Sequence, residues 1–310
     1  MKFVKKTMGP PVVKAMNSNT LSDAYRDAIT IAYRYIGSTS ADTSFRFCGH
    51  HFETPIMAGP IAFPKEKTEN GNLGYARAVR EAGSVYWATY HDPDDWKLIL
   101  DEGIPSIRVI KPLADMDRIL ADVRYDTEHG AIAYAMDIDH GINVYGENDG
   151  HGDAFAPKTI EELRKISDAS PLPFILKGVL SVADALAAVE AGASGIVVSG
   201  HNNRFPCEVP PLQILPQIRE AVGEKLTILL DGGMNNGFDV FKALCLGADG
   251  VLSARALCGA YVKDGEEGLT YKLLEMTAEL RGAMSNTGSK DLGHLARESV
   301  IPSLRQEETR

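Results

Sequence analysis

Residues Pro173 to His201 read PFILKGVLSVADALAAVEAGASGIVVSGH, and the fold is decided here. An apolar run from Pro173 to Val179 is followed by Ser181 in a helix N-cap position. A helical stretch then places Ala and Val on one face, and Gly192 stops it before a second apolar run from Gly195 to His201. Neither run alternates between apolar and polar residues, so both read as strands covered on two faces, the habit of parallel strands joined by a helix.

The same alternation recurs on both sides. Strands are expected at Pro55 to Pro60, Val85 to Tyr90, Ser106 to Lys111 and Ala131 to Asp139, and beyond the central unit at Thr227 to Gly233 and Gly250 to Ala256. With the central pair this makes eight units over about 230 residues, the size of a (β/α)8 TIM barrel. A doubly wound sheet has fewer strands and would carry a glycine fingerprint after its first one. Helices are expected at Phe238 to Gly247 and Leu269 to Met284. The segment Asn19 to Tyr35, with Leu21, Tyr25, Ile29, Ala32 and Tyr33 at helical spacing, is expected as a helix that closes the bottom of the barrel or packs at its side. The chain is thus read as one domain: an N-terminal helical extension (1–54), the barrel (55–283) and a C-terminal segment (284–310) whose charged tail frays from Gln306.

Composition limits what such a barrel does. The 310 residues are 44% hydrophobic and 24% charged, enough for one large core and incompatible with disorder or a collagen-like chain. Lys plus Arg number 32 against 42 Asp plus Glu, a net charge of −10 that repels nucleic acid and anionic membranes. A small-molecule enzyme is the class that remains. Met1 to Lys6 looks like a signal n-region, but Pro10, Pro11 and Lys14 prevent an apolar core from forming after it. No run approaches the roughly 18 apolar residues of a membrane span. Cys48, Cys207, Cys245 and Cys258 lack paired spacings and read as thiols of a reducing compartment, so a cytoplasmic location is expected. No metal site is expected: His50-His51 and Asp139-His140 are adjacent pairs whose side chains diverge in a strand.

Barrel chemistry sits at the carboxyl ends of the strands. The fourth expected strand ends in Asp137, Asp139 and His140, the fifth in Lys177-Gly178, the sixth in Ser199-Gly200-His201-Asn202-Asn203-Arg204, the seventh in Asp231-Gly232-Gly233 and the eighth in Ala254-Arg255. The small residues of the last two loops let backbone N–H groups approach an anion, and Arg255 supplies a guanidinium, so a phosphate site is expected there. Lys177 closes an apolar strand and needs an anionic partner. It reads either as a Schiff-base lysine or as the cation that stabilises charge on a cofactor ring. His201 is expected as a general base, oriented by Asp137, with Arg204 gripping a substrate carboxylate in two-pronged fashion.

In these residues the chain resembles the FMN-dependent 2-hydroxy acid oxidases and dehydrogenases, the glycolate and lactate oxidase group. Leu176-Lys177-Gly178-Val179, Ser199-X-His201-X-X-Arg204, Asp231-Gly232-Gly233, Asp239 to Leu244, Gly247-Ala248 and Ala254-Arg255 carry the likeness; Pro55 to Pro60 and Ala76-Arg77-Ala78 extend it upstream. The resemblance implies FMN as cofactor, a small hydroxy acid as substrate and a homo-oligomer, a tetramer or octamer. It places Lys177 beside the flavin ring with Ser199 and Thr89 nearby, and puts Asp231, Gly232, Gly233, Asn235, Ala254 and Arg255 around the ribityl chain and phosphate. His201, Asp137 and Arg204 become the base, its carboxylate partner and the substrate clamp. The reaction implied is oxidation of a 2-hydroxy acid to a 2-oxo acid; a flavin isomerase or dehydratase, and a flavin protein without turnover, are the alternatives. The sequence also departs from the family: the third strand, Ser106 to Ile110, lacks a glutamine and a tyrosine, and a second carboxylate-binding arginine has no counterpart near Val144 or Tyr145. Gly200, Asn202, Asn203 and Ala254 replace an asparagine and three glycines, and the connection from His140 to Lys158 is short. His91, Asp139 and His140 read either as replacement polar groups at the rim or, the reading favoured here, as solvated loop side chains.

Overall fold

Side chains in a strand alternate between two faces, so every second residue of a closed barrel points inward. The computed structural model, which describes residues 17–61, 70–89, 93–150 and 154–302, obeys this rule in all eight barrel strands. The N-terminal extension holds α1 (Ser18–Ala28), β1 (Ile29–Ile31) and the hairpin β2 (Phe45–Phe47) and β3 (His50–Phe52). The barrel follows as β4 (Ile56–Ala58), α2 (Gly71–Glu81), β5 (Tyr86–Ala88), α3 (Pro93–Asp101), β6 (Ser106–Ile110), α4 (Met116–Glu128) and β7 (Ala133–Asp137). Its second half is α5 (Ile160–Asp168), β8 (Phe174–Val179), α6 (Val182–Glu190), β9 (Gly195–Val198), α7 (Pro211–Val222), β10 (Thr227–Leu230), α8 (Gly237–Leu246), β11 (Gly250–Ser253) and α9 (Arg255–Ser285), and β12 (Val300–Pro302) ends the described chain. Strands β4 to β11 close in sequence order, each parallel to the next.

Met57, Trp87, Ile107, Val109, Ala133, Ala135, Ile175, Val197, Leu229 and Leu252 form an interior cluster, with Phe45, Phe47 and Phe52 of the hairpin packed against it. The intervening residues, such as Ile56, Tyr86, Ile110, Tyr134, Leu176, Ile196 and Leu230, belong to the larger cluster with the helices. Two residues beyond Val109, Ala135, Ile175 and Leu229, in the same inward parity, stand Lys111, Asp137, Lys177 and Asp231. Strand periodicity therefore delivers four charged side chains to one end of an apolar plug.

The structure departs from the sequence reading at both ends of the chain. The helix expected over Asn19 to Tyr35 ends at Ala28, because the β-branched run Ile29-Thr30-Ile31 pairs as a strand with Val300–Pro302. Helix α1 does not close the barrel's bottom: Ser18 and Asn19 bond to Asn203 and Asn202 beside His201, at the carboxyl ends of the strands. The last helix, expected at Leu269 to Met284, is present, and a break at Asp264–Gly265 separates it from a further helical stretch that begins at Arg255. Ser181 is the N-cap of α6 as expected, accepting from the Asp184 amide at 3.0 Å. Residues 1–16 and 303–310, with the expected n-region and charged tail, lie outside the described residues, as does His91. Among the described residues no helix is long and apolar enough to cross a membrane.

Candidate active site

The mouth is built around a buried lysine–carboxylate group. Asp137 receives the Lys111 ammonium at 2.6 Å on Oδ2 and the Lys177 ammonium at 3.0 Å on Oδ1. Lys177 also lies 3.9 Å from Asp231 and 3.5 Å from His201 Nδ1. Burial opposes ionisation of Asp137, but the charges of Lys177, His201 and Lys111 outweigh it and hold the carboxyl well below the usual carboxylate range. Burial would likewise lower Lys177, yet Asp137, Asp231 and Asp139 keep its ammonium protonated well above the ordinary range. A lysine held so firmly as a cation is a poor Schiff-base nucleophile, which removes that reading.

His201 follows β9 in a turn of three consecutive left-handed residues, His201, Asn202 and Asn203, with φ of 43°, 59° and 64°. Asparagine tolerates this region better than most residues with side chains, which is how it serves here without glycine. The turn is fastened at several points. Ser199 Oγ accepts from the His201 amide at 3.1 Å, Asn203 Oδ1 from the Ser18 amide at 2.6 Å, and Asn202 Oδ1 from both Asn19 Nδ2 at 2.9 Å and Arg255 Nη1 at 3.0 Å. The closest carboxylate to the imidazole is Asp139 rather than Asp137: His201 Nδ1 meets Asp139 Oδ2 at 2.8 Å and Asp137 Oδ1 at 3.7 Å. Asp137 is drawn away by its two lysines, and a short 3-10 turn over Ile138–His140 curls Asp139 back over β8. Burial raises Asp139, but its hydrogen bond to His201 leads the opposing influences, and its carboxyl stays below the ordinary range.

Gly178 makes this return possible. Its φ is +94°, the β8–β9 register shifts around it, and a Cβ there would lie 2.6 Å from Asp139 Cγ. Gly178→Ala should therefore cost about 1–3 kcal/mol and displace Asp139 from His201. Thermal unfolding and a crystal structure of the variant check this; an unshifted Asp139 in a fully stable variant would contradict it.

Asp139 and His140 are not the solvated loop groups expected from sequence. Their side chains are only 14% and 17% exposed, and His140 Nδ1 meets Asp149 Oδ2 at 2.7 Å. Arg204 donates from Nε to the Asp139 carbonyl at 2.7 Å and from Nη2 to Asp149 at 2.5 Å, so two of its nitrogens are already committed. Thr89 follows the carboxyl end of β5, two residues beyond the inward-facing Trp87, and lines a small space with Asn72, Tyr86 and Trp96. Ser199 is buried and supports the histidine turn. Lys111, Asp149, Asn19 and Asn202 take places in the site that sequence reasoning does not give them. For Lys111 a signal exists, since it closes an apolar strand as Lys177 does.

Asp231, Gly232, Gly233, Asn235, Ala254 and Arg255 line one mouth cavity of about 240 Å³ with Lys177, His201 and Asn19. Helix α9 opens onto it without a side-chain cap, as α2 and α7 also begin, whereas α1, α4, α5, α6 and α8 are capped by Asn17, Asp115, Thr159, Ser181 and Asn236. Uncapped first-turn amides beside Arg255, and left-handed Gly232 and Gly233, could serve a phosphoryl group as donors. With the Lys177 ammonium at the other end of the cavity, the residues fit a cofactor that carries a phosphate at one end and an electron-accepting ring at the other.

Fold and site together define a (β/α)8 barrel whose mouth cavity fits a phosphorylated cofactor. Comparison with known proteins agrees. The family model for FMN-dependent dehydrogenase matches residues 14–160 and 147–302, and the chain belongs to that family. It is 30% identical over 290 residues to 4-hydroxymandelate oxidase of Amycolatopsis orientalis, covering 82% of this chain and 81% of that protein. It is 28% identical to glycolate oxidase 3 of Arabidopsis thaliana, over 86% and 82% of the two chains. The solved structure of mandelate oxidase superposes with a TM-score of 0.85 at 29% identity, covering 93% of this chain and 90% of that one. The protein is an FMN-dependent enzyme.

Proposed function

We propose that the enzyme oxidises a 2-hydroxy acid to a 2-oxo acid, with His201 as the general base. The observation that carries this is the imidazole pinned by Asp139 at 2.8 Å while the buried Lys177 ammonium lies 3.5 Å away in the same mouth cavity. Bound FMN supplies the electron-pair acceptor for the substrate's α-hydrogen, leaving as hydride. The chain's own residues do the rest. Asp139 holds the His201 Nδ1–H, which leaves Nε2 as the atom that takes the hydroxyl proton, and it stabilises the imidazolium that results. Lys177 and Arg255 would hold the ring and phosphoryl ends of the cofactor. Arg204 offers Nη1 to a substrate carboxylate; the two-pronged grip expected from sequence requires Asp149 to release Nη2. With this partly engaged clamp, small unadorned hydroxy acids should bind weakly, and the other end of the substrate should decide affinity. A homo-oligomer, tetramer or octamer, belongs to this reading on family likeness, and a cytoplasmic location on the unpaired thiols.

Anaerobic titration of the FMN-loaded protein with lactate, glycolate and mandelate tests the reading. Bleaching of the flavin absorbance by at least one is the expected result. An unbleached flavin across a broad panel of 2-hydroxy acids would turn the reading toward an isomerase, a dehydratase or a flavin protein without turnover.

A further inference from the structure

His140 and His201 meet at the mouth with ring centroids 4.6 Å apart, planes at 77° and Nε2 atoms 3.5 Å from each other. The second nitrogen of each ring is taken by a different carboxylate, Asp139 for His201 and Asp149 for His140. An ionised carboxylate only accepts, so both Nδ1 atoms carry hydrogen and the neutral rings turn lone pairs toward one another. Two opposed lone pairs at this distance are stable together when a proton lies between them. The surroundings are fixed on every side. Asp137, Lys111 and Lys177 lie on the barrel side, Asp231 pairs with Lys177, Arg204 holds Asp149 from beyond, and Phe155 packs edge-on against His140 at 6.3 Å.

We propose that His140 relays the proton of the reaction, taking it from His201 Nε2 and passing it to solvent. The inference rests on His201 being the base. Once the oxo acid has left, the N–H bond at His201 Nε2 breaks and one at His140 Nε2 forms; the His140 Nδ1–H bond then breaks as its proton passes to Asp149 Oδ2 and from there to water, and exchange with water returns His140 to the Nδ1–H tautomer. One positive charge moves between rings, no electrons are exchanged, and Asp149 accepts the Nδ1–H of the new imidazolium as a charge-assisted hydrogen bond. Burial, with Lys111 next, lowers His140 to about 4, so it hands the proton on rather than storing it. His140 acts through His201 and is a proton-handling residue, not a catalytic one.

Two measurements on the FMN-loaded protein test this. Nitrogen-15 NMR should find both rings as Nδ1–H tautomers at neutral pH. An Nε2–H tautomer on either neutral ring overturns the relay. In stopped-flow work, His140→Phe should reduce its flavin in a single turnover at close to the wild-type rate. Its steady-state turnover in dilute buffer should fall about tenfold or more and recover with added imidazole. A loss that imidazole does not repair overturns the relay and leaves a structural residue. Wild-type protein whose flavin no hydroxy acid reduces would instead overturn the base reading, and the relay with it.

Discussion

Replacing His201 by alanine is expected to abolish reduction of bound FMN by every 2-hydroxy acid while leaving the flavin bound. In the proposed reaction the imidazole is the base that Asp139 orients, and a positioned base contributes about 10²–10⁴-fold to rate. Cofactor affinity should survive, because the phosphoryl donors, Arg255, the Gly232-Gly233 backbone and the first turn of α9, lie in other loops. Stopped-flow reduction and flavin fluorescence separate the two effects. A variant that reduces its flavin at the wild-type rate would end the assignment of His201, and one that releases FMN would show that the turn from His201 to Asn203 serves mainly to hold the cofactor through Asn202 and Arg255.

The second large effect is expected at Asp137, which lies between two ammonium groups and is 3% exposed. Asp137→Asn keeps the shape but leaves Lys111 and Lys177 with an uncompensated excess of charge in a buried space. Removing one partner of a buried pair costs about 3–5 kcal/mol, so urea unfolding should shift strongly. The double variant Lys111→Met with Asp137→Asn should recover part of the loss, since it removes one of the stranded charges. Full wild-type stability in Asp137→Asn would mean the lysines are solvated and the buried network is wrong. The depressed carboxyl also sets a pH dependence. Its stabilising contribution is complete above the unfolded carboxylate value of about 3.9 and is lost as pH falls below that toward the folded value. The acid limb of the stability curve should therefore be shallower in Asp137→Asn than in wild type.

Strand order and the inward parity are legible in the sequence because both arise from short-range patterns: the apolar runs name all eight strands, and the end of each run points to Asp137, Lys177 and Asp231. The loops that carry Gly232, Gly233 and Arg255 can be named from the sequence because they follow the last two strands, and the structure brings them to one cavity. The features that escape are set by non-local contacts. Asp139 looks like a loop carboxylate until the left-handed Gly178 lets it fold back onto β8. Asp149 lies in a polar stretch, Glu147 to Gly150, with no pattern to mark it, and its role appears only where Arg204 and His140 converge on it. The misplaced end of α1 has a similar cause. Helical spacing continues through Ile29 and Ala32, but pairing with Val300–Pro302, far along the chain, overrides it.

A crystal structure with FMN bound is the most direct measurement of the central claim. The account predicts the isoalloxazine between the Lys177 ammonium and the His201 imidazole, and the phosphoryl group on Arg255, Gly233 and the uncapped start of α9. A flavin ring bound away from both side chains, or a mouth that stays empty at saturating FMN, would contradict it.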